Sequence, residues 1–126
     1  MSLEKPRILI VDDEIDICTC LQGYFERRDF IVSTTGNGLE ALSMLRVSKY
    51  DLVLLDLTLP GLNGGKVLEG LRANDKETKV IIVSGNDDAK EIARLYSLGI
   101  EGYCSKPLML ENLLAAVYKA IGMPGV

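Results

Sequence analysis

Five residues carry groups that could act together: Asp12, Asp13, Asp56, Ser84 and Lys106. Each follows or closes a short apolar run. Asp12 and Asp13 come after Ile8-Leu-Ile-Val11, Asp56 after Leu52-Val-Leu-Leu55, Ser84 after Val80-Ile-Ile-Val83, and Lys106 shortly after Tyr103-Cys104. Taken singly, each has an ordinary explanation. Asp12-Asp13-Glu14 suits an acidic helix start, which the macrodipole favours. Asp56 before a Pro-Gly loop is a common turn residue, Lys106 a solvated lysine, and Ser84 before Gly85 a lead into the cap of a following helix. If the apolar runs are parallel strands, however, all five groups converge on one sheet edge, which the separate explanations do not require. Like charges at 4 Å repel by roughly 4 kcal/mol at an effective dielectric near 20, so three carboxylates there would spread apart or take up a cation. Mg²⁺ suits such a set, because it keeps several waters and uses one or two carboxylates together with a phosphate oxygen.

The elements that must position these residues are legible from periodicity. The runs at 8–11, 30–32, 52–55 and 80–83 are continuous rather than alternating, as strands buried on both faces are. Tyr103-Cys104 is a fifth, shorter run. Helical spacing fills the intervals: Ile15, Cys18, Leu21 and Phe25; Leu39, Leu42 and Leu45; Val67, Leu68 and Leu71; Ala89, Ile92, Ala93 and Tyr96; and Leu110, Leu113, Leu114, Val117 and Ile121. Alternation of this kind predicts an α/β fold, a doubly wound (βα)5 flavodoxin-like sandwich whose parallel five-stranded sheet carries helices on both faces. Periodicity does not reveal strand order, but the small five-stranded member of this class has order 2-1-3-4-5 and binds ligands beyond the carboxyl ends of its strands. Residues 1–6 and 122–126 are expected as tails, with Gly122 stopping the last helix, around a single domain at 7–121.

Composition narrows the function classes. With 48% hydrophobic and 25% charged residues, the 126-residue chain is expected to form one globular domain. A net charge of −4 argues against direct nucleic-acid binding, and no apolar run is long enough to span a membrane, so a cytoplasmic protein is expected. There is no histidine, which excludes His-based acid/base catalysis and His metal sites. Cys18 and Cys20, on one helix, would point about 200° apart and cannot share an ion. With Cys104 they make an odd count, expected as reduced, small apolar residues.

The run Ile8-Leu-Ile-Val-Asp-Asp-Glu14, the run Asp51 to Asp56 with Leu59-Pro-Gly-Leu-Asn-Gly64, Ser84-Gly85, and Tyr103-Cys-Ser-Lys-Pro107 together resemble the response-regulator receiver family of two-component signalling, CheY-like, over residues 7 to 121. The resemblance implies that Asp56 accepts a phosphoryl group, that Asp12 and Asp13 hold Mg²⁺ with it, and that Lys106 contacts the phosphoryl group. Thr58 stands where the family offers a backbone carbonyl to the metal. Ser84 and Tyr103 stand at the hydroxyl and aromatic switch positions. Thr58 and Asn86 occupy positions that tune hydrolysis. The implied partners are a histidine kinase or histidine phosphotransfer protein and a downstream effector or output domain, with a phosphorylation-dependent dimer as one form of output. That output surface would comprise residues 87–98, 102–104 and 108–121, with Tyr96, Met109 and Tyr118 near it. Ionised at neutral pH, an Asp nucleophile needs no general base, so the missing histidine is no obstacle.

Departures and alternatives accompany this resemblance. Three glycines between Gly61 and Gly65 predict a loose loop. A Mg²⁺-dependent haloacid-dehalogenase-like phosphatase would need a second Asp two residues past the nucleophile, where Thr58 stands, so a switch rather than a turnover enzyme is expected. A nucleotide-binding module lacks its glycine motifs here, and a pseudo-receiver scaffold would be expected to have lost an acidic position or the lysine.

Overall fold

The computed structural model describes residues 4–85 and 88–123. Strands and helices alternate along the chain: β1 (Arg7–Val11), α1 (Ile15–Glu26), β2 (Ile31–Thr35), α2 (Gly38–Val47), β3 (Leu52–Asp56), α3 (Gly64–Asn74), β4 (Lys79–Ser84), α4 (Ala89–Leu98), β5 (Gly102–Ser105) and α5 (Leu110–Ile121). All pairings are parallel, in the order β2-β1-β3-β4-β5. The expected (βα)5 flavodoxin-like sandwich is what forms. Side chains alternate across the sheet and feed two cores. Ile8, Ile10, Leu52, Leu54, Ile81 and Val83 face α1 and α5, whereas Leu9, Val11, Val53, Leu55, Val80 and Ile82 face α2, α3 and α4.

Several elements differ from the sequence expectation. Phe30 precedes β2 instead of opening it, and its ring meets Phe25 edge-on at 5.3 Å. The strand runs on through Ser33, Thr34 and Thr35, whose polarity is tolerated because β2 is an edge strand paired only to β1. Helix α4 turns a different face inward from the one its pattern suggested. Leu95 is its fully buried residue, Ala89 and Ala93 are exposed, and Tyr96 is 49% exposed. Burying leucine removes more apolar area from water than burying alanine, so the Ile92-Leu95-Leu98 stripe wins. Ile15 and Leu39, expected on inward stripes, also lie exposed. Tyr118, expected near the output surface, is instead buried and stacks on Phe30 at 6.1 Å. Cys18 is buried and Cys20 exposed, the opposed directions expected of them.

Helix ends follow capping chemistry. Asn37, Asn63 and Asp88 accept main-chain N–H bonds at the starts of α2, α3 and α4, and Gly99 and Gly122 close α4 and α5 in the left-handed conformation. Asp88 is the cap of α4, four residues past Ser84. No helix among the described residues is long and apolar enough to cross a membrane. Asn86 and the terminal segments 1–3 and 124–126 lie outside the described residues.

Candidate functional site

The site forms at the carboxyl ends of β1, β3, β4 and β5. Register brings Val11 beside Leu55, Asp56 beside Val83, and Ser84 beside Ser105, so the residues that end or follow these strands face one another. Asp12 stays anchored as the sheet ends, because its N–H donates to the Thr35 carbonyl at 3.0 Å and its own carbonyl accepts from the Cys18 thiol. One carboxylate oxygen of Asp12 accepts the Glu14 N–H at 2.9 Å, serving one orphan donor at the start of α1. Asp56 likewise accepts the Thr58 N–H at 3.1 Å through one oxygen. The ordinary roles of helix start and turn residue are therefore both real, and both leave a second carboxylate oxygen for other use.

The loop after Asp56 is tight rather than loose. A Cβ on Gly64 would lie 2.2 Å from the Asp56 carbonyl oxygen, and one on Gly38 would lie 2.1 Å from that of Leu62. Both glycines are buried, and Gly64 donates its N–H to Leu57 at 3.0 Å. These glycines permit close backbone approach and fix the loop against the strand end; Gly61, at φ +77°, supplies the turn.

Carboxylate oxygens of Asp12, Asp13 and Asp56 lie within 4.8 Å of one another, with Asp12 and Asp56 buried and Asp13 exposed. Lys106 reaches into the cluster from the loop after β5. Its Nζ donates to Asp56 at 3.0 Å, to Glu14 at 3.1 Å and to Asp12 at 3.2 Å. Burial opposes the charge on Lys106, but the hydrogen bonds to Asp56, Glu14 and Asp12 outweigh it and hold the ammonium well above the ordinary lysine range. For Asp12 the balance is reversed. Burial pushes its carboxyl upward, Asp56 adds to the rise, and the bonds from Glu14 and Lys106 only partly counter it. One ammonium against four carboxylates leaves a negative excess. An all-oxygen donor set of this kind fits a hard divalent cation.

Ser84 is buried beside the cluster, and its carbonyl accepts the Lys106 N–H at 2.8 Å, tying the loops after β4 and β5 together. Tyr103 packs its ring partly into the core shared by α2, α3 and α4. Its hydroxyl is shielded and meets no hydrogen-bond partner among the described residues. Six of the seven residues predicted for the site, all except Tyr103, line this strand edge, and Tyr103 lies behind it. Glu14 was missed as a contact of Lys106. Its adjacency to the acidic pair was a signal, but the helix-start explanation absorbed it.

Fold and site together define a doubly wound α/β domain with an acidic, all-oxygen site and one lysine at the carboxyl edge of its sheet. The chain belongs to the response regulator receiver domain family, whose model matches residues 8–118. It is 38% identical over 123 residues to the uncharacterized transcriptional regulatory protein YkoG of Bacillus subtilis, covering 98% of this chain and 54% of that one. With the transcriptional regulatory protein PrrA of Mycobacterium leprae it shares 32% identity over 116 residues, 92% of this chain and 50% of the other. The non-phosphorylated HemR receiver domain from Leptospira biflexa superposes with a TM-score of 0.89 at 29% identity, covering 97% of this chain and 98% of that domain. The chain spans about half the length of the curated relatives it matches. As a response-regulator receiver it is a component of two-component signalling.

Proposed function

We propose that this chain receives a phosphoryl group on Asp56 and converts it into a change of surface. The observation that carries the reading is the Lys106 ammonium 3.0 Å from a buried Asp56 carboxylate that Asp12 and Asp13 also approach. Asp12, Asp13 and Asp56 would hold Mg²⁺, with the Thr58 carbonyl as a further donor, and the ion when bound would neutralise charge on phosphoryl oxygens. The Asp56 carboxylate attacks the phosphorus of a phosphohistidine donor, the P–N bond breaks, and an acyl phosphate results. Lys106 holds the acceptor oxygen in place and balances charge on the transferred group. Thr58 offers no carboxylate for rapid hydrolysis, so the product persists as a signal rather than turning over.

The added charge, up to about two units, then acts on Ser84, whose hydroxyl bonds a phosphoryl oxygen and draws the loop after β4 inward. Tyr103 is poised to respond. A buried hydroxyl without a partner costs about 1–3 kcal/mol, and that of Tyr103 meets none among the described residues, so its present position is readily shifted. The response spreads over the face of α4, β5 and α5, where Tyr96 and Met109 stand exposed.

The unit carrying this function is residues 7–121, acting in the cytoplasm as a switch. Its partners are a histidine kinase or phosphotransfer protein upstream, and an effector, output domain or second copy downstream. Two relatives are named as transcriptional regulators, which favours transcriptional output, although the −4 charge leaves DNA contact to another domain. Incubation with Mg²⁺ and acetyl phosphate should add one phosphate by intact mass, and Asp56→Asn should add none. A full equivalent on the variant would refute the assignment.

A further inference from the structure

An ammonium group has three N–H donors and no acceptor. In Lys106 all three are engaged, by Asp12, Glu14 and Asp56. If Lys106 is to bind an oxygen of an arriving phosphoryl group while Asp56 is still a carboxylate, one existing bond must give way. The three acceptors are not equal in this respect. The Asp12 and Asp56 side chains are 4% and 5% exposed, and stripping a partner from a buried carboxylate leaves it without compensation. Glu14 is 59% exposed, so water can replace the ammonium at little cost. Its backbone is meanwhile fixed by the bond from its own N–H to Asp12, so the side chain always starts from the same place beside the site.

We infer that Glu14 is a positioning residue that holds Lys106 in its resting place and is displaced when a phosphoryl oxygen arrives. This rests on the reading of Asp56 as acceptor. Glu14 thus occupies the third valence of the lysine until an anion claims it, and its grip sets how readily the site accepts one. It neither touches the transferred group nor serves the acidic cluster as a metal donor. A purely electrostatic role would depend on its charge alone; a holding role depends on reach.

Two substitutions separate these roles. Glu14→Gln removes the charge, whereas Glu14→Asp keeps the charge on a side chain one methylene shorter. Asp16→Asn removes a neighbouring exposed charge, on the first turn of α1, that lies outside the Lys106 contacts. The readouts are the ¹⁵N resonance of the Lys106 ammonium in the metal-free protein and beryllofluoride affinity at saturating Mg²⁺. Both Glu14 variants should shift the ammonium resonance and speed its proton exchange. Both should bind beryllofluoride about three- to fivefold more tightly, the scale of an exposed ion pair. Asp16→Asn should do neither. The inference is overturned if Glu14→Asp matches the native protein while Glu14→Gln and Asp16→Asn change alike, since charge alone would then be acting. It is overturned equally if neither Glu14 variant moves the Lys106 resonance. Failure of the native chain to bind beryllofluoride would refute the acceptor reading and the displacement with it, while the ammonium signal would still report the contact.

Discussion

The two ends of the sheet treat charge in opposite ways. At the amino ends of β3 and β4, charges are spent on backbone. Arg72 donates to the carbonyls of Asp75, Thr78 and Gly99 at 2.8–3.0 Å, and Arg7 donates to that of Lys49 at 2.9 Å while lying over the Tyr50 ring. Asp75 accepts from the Thr78 hydroxyl and from the N–H groups of Thr78 and Glu77. Those bonds, led by the Thr78 hydroxyl, hold its carboxyl below the ordinary carboxylate range. At the carboxyl ends, Asp12, Asp13 and Asp56 face one another, one lysine serves both Asp12 and Asp56, and burial drives the Asp12 carboxyl upward. The same residue type therefore stabilises the fold at one end and strains it at the other. Strain of that kind is retained where a ligand will relieve it.

The comparison would break first at Arg72. Arg72→Ala should cost roughly 2–3 kcal/mol by urea unfolding, because three carbonyls lose a charged donor, yet leave Mg²⁺ affinity unchanged. A loss of metal binding would mean that the two ends are coupled.

A smaller, paired effect sharpens the contrast. In metal-free protein at pH 7, Asp12→Asn should stabilise and Asp75→Ala destabilise, each by on the order of 1 kcal/mol. Asp12 has a raised folded pKa, so the folded state holds its proton more tightly than the unfolded chain does. The cost of ionised Asp12 is present above that raised value, and the advantage of Asp12→Asn should fade as pH falls through it. Asp75 has a depressed folded pKa. Its contribution is present above the ordinary 3.8 and is lost as pH falls from there through the folded value, so the penalty of Asp75→Ala persists to lower pH. Denaturation curves from pH 7 to 3 test both directions, and a shared sign would erase the distinction.

The smallest expected effect lies behind the site. Tyr103→Phe removes a shielded hydroxyl that lacks a partner among the described residues, so it should raise stability by up to about 1 kcal/mol while Asp56 still takes up phosphate. A destabilised variant would mean that the hydroxyl is satisfied after all.

The central strands were legible because parallel strands covered on both faces must be apolar throughout, and Ile8 to Val11, Leu52 to Leu55 and Val80 to Val83 read that way. The residues gathered at their ends followed from topology. Legibility failed where a residue type has two uses. Alanine and tyrosine fit either face of α4, so the pattern did not reveal that Leu95 is the inward anchor. Tyr118 could have been surface or core, and it joins the core of α1 and α5, where it stacks on Phe30. Glycines at 64 and 65 signalled freedom, whereas the packing uses the missing side chain at Gly64 for close approach to Asp56. Glu14 escaped notice because an acidic residue opening a helix has a sufficient local explanation, which hid its bond to Lys106, 92 residues away.

Strand β3 ends at Asp56, has all five residues buried and is bonded to β1 on one side and β4 on the other. Its amide protons can meet solvent deuterium only when the whole sheet opens, so the Asp56 main chain is as permanent as the fold itself. A phosphoryl group placed on Asp56, as proposed, could not pass its effect on by bending the strand that carries it. It must leave through the parts that touch the strand's end: the loop after β4, the lysine after β5, and the first turn of α1. On the proposed reading, β3 is the fixed fulcrum, and the loops around it are the lever arms.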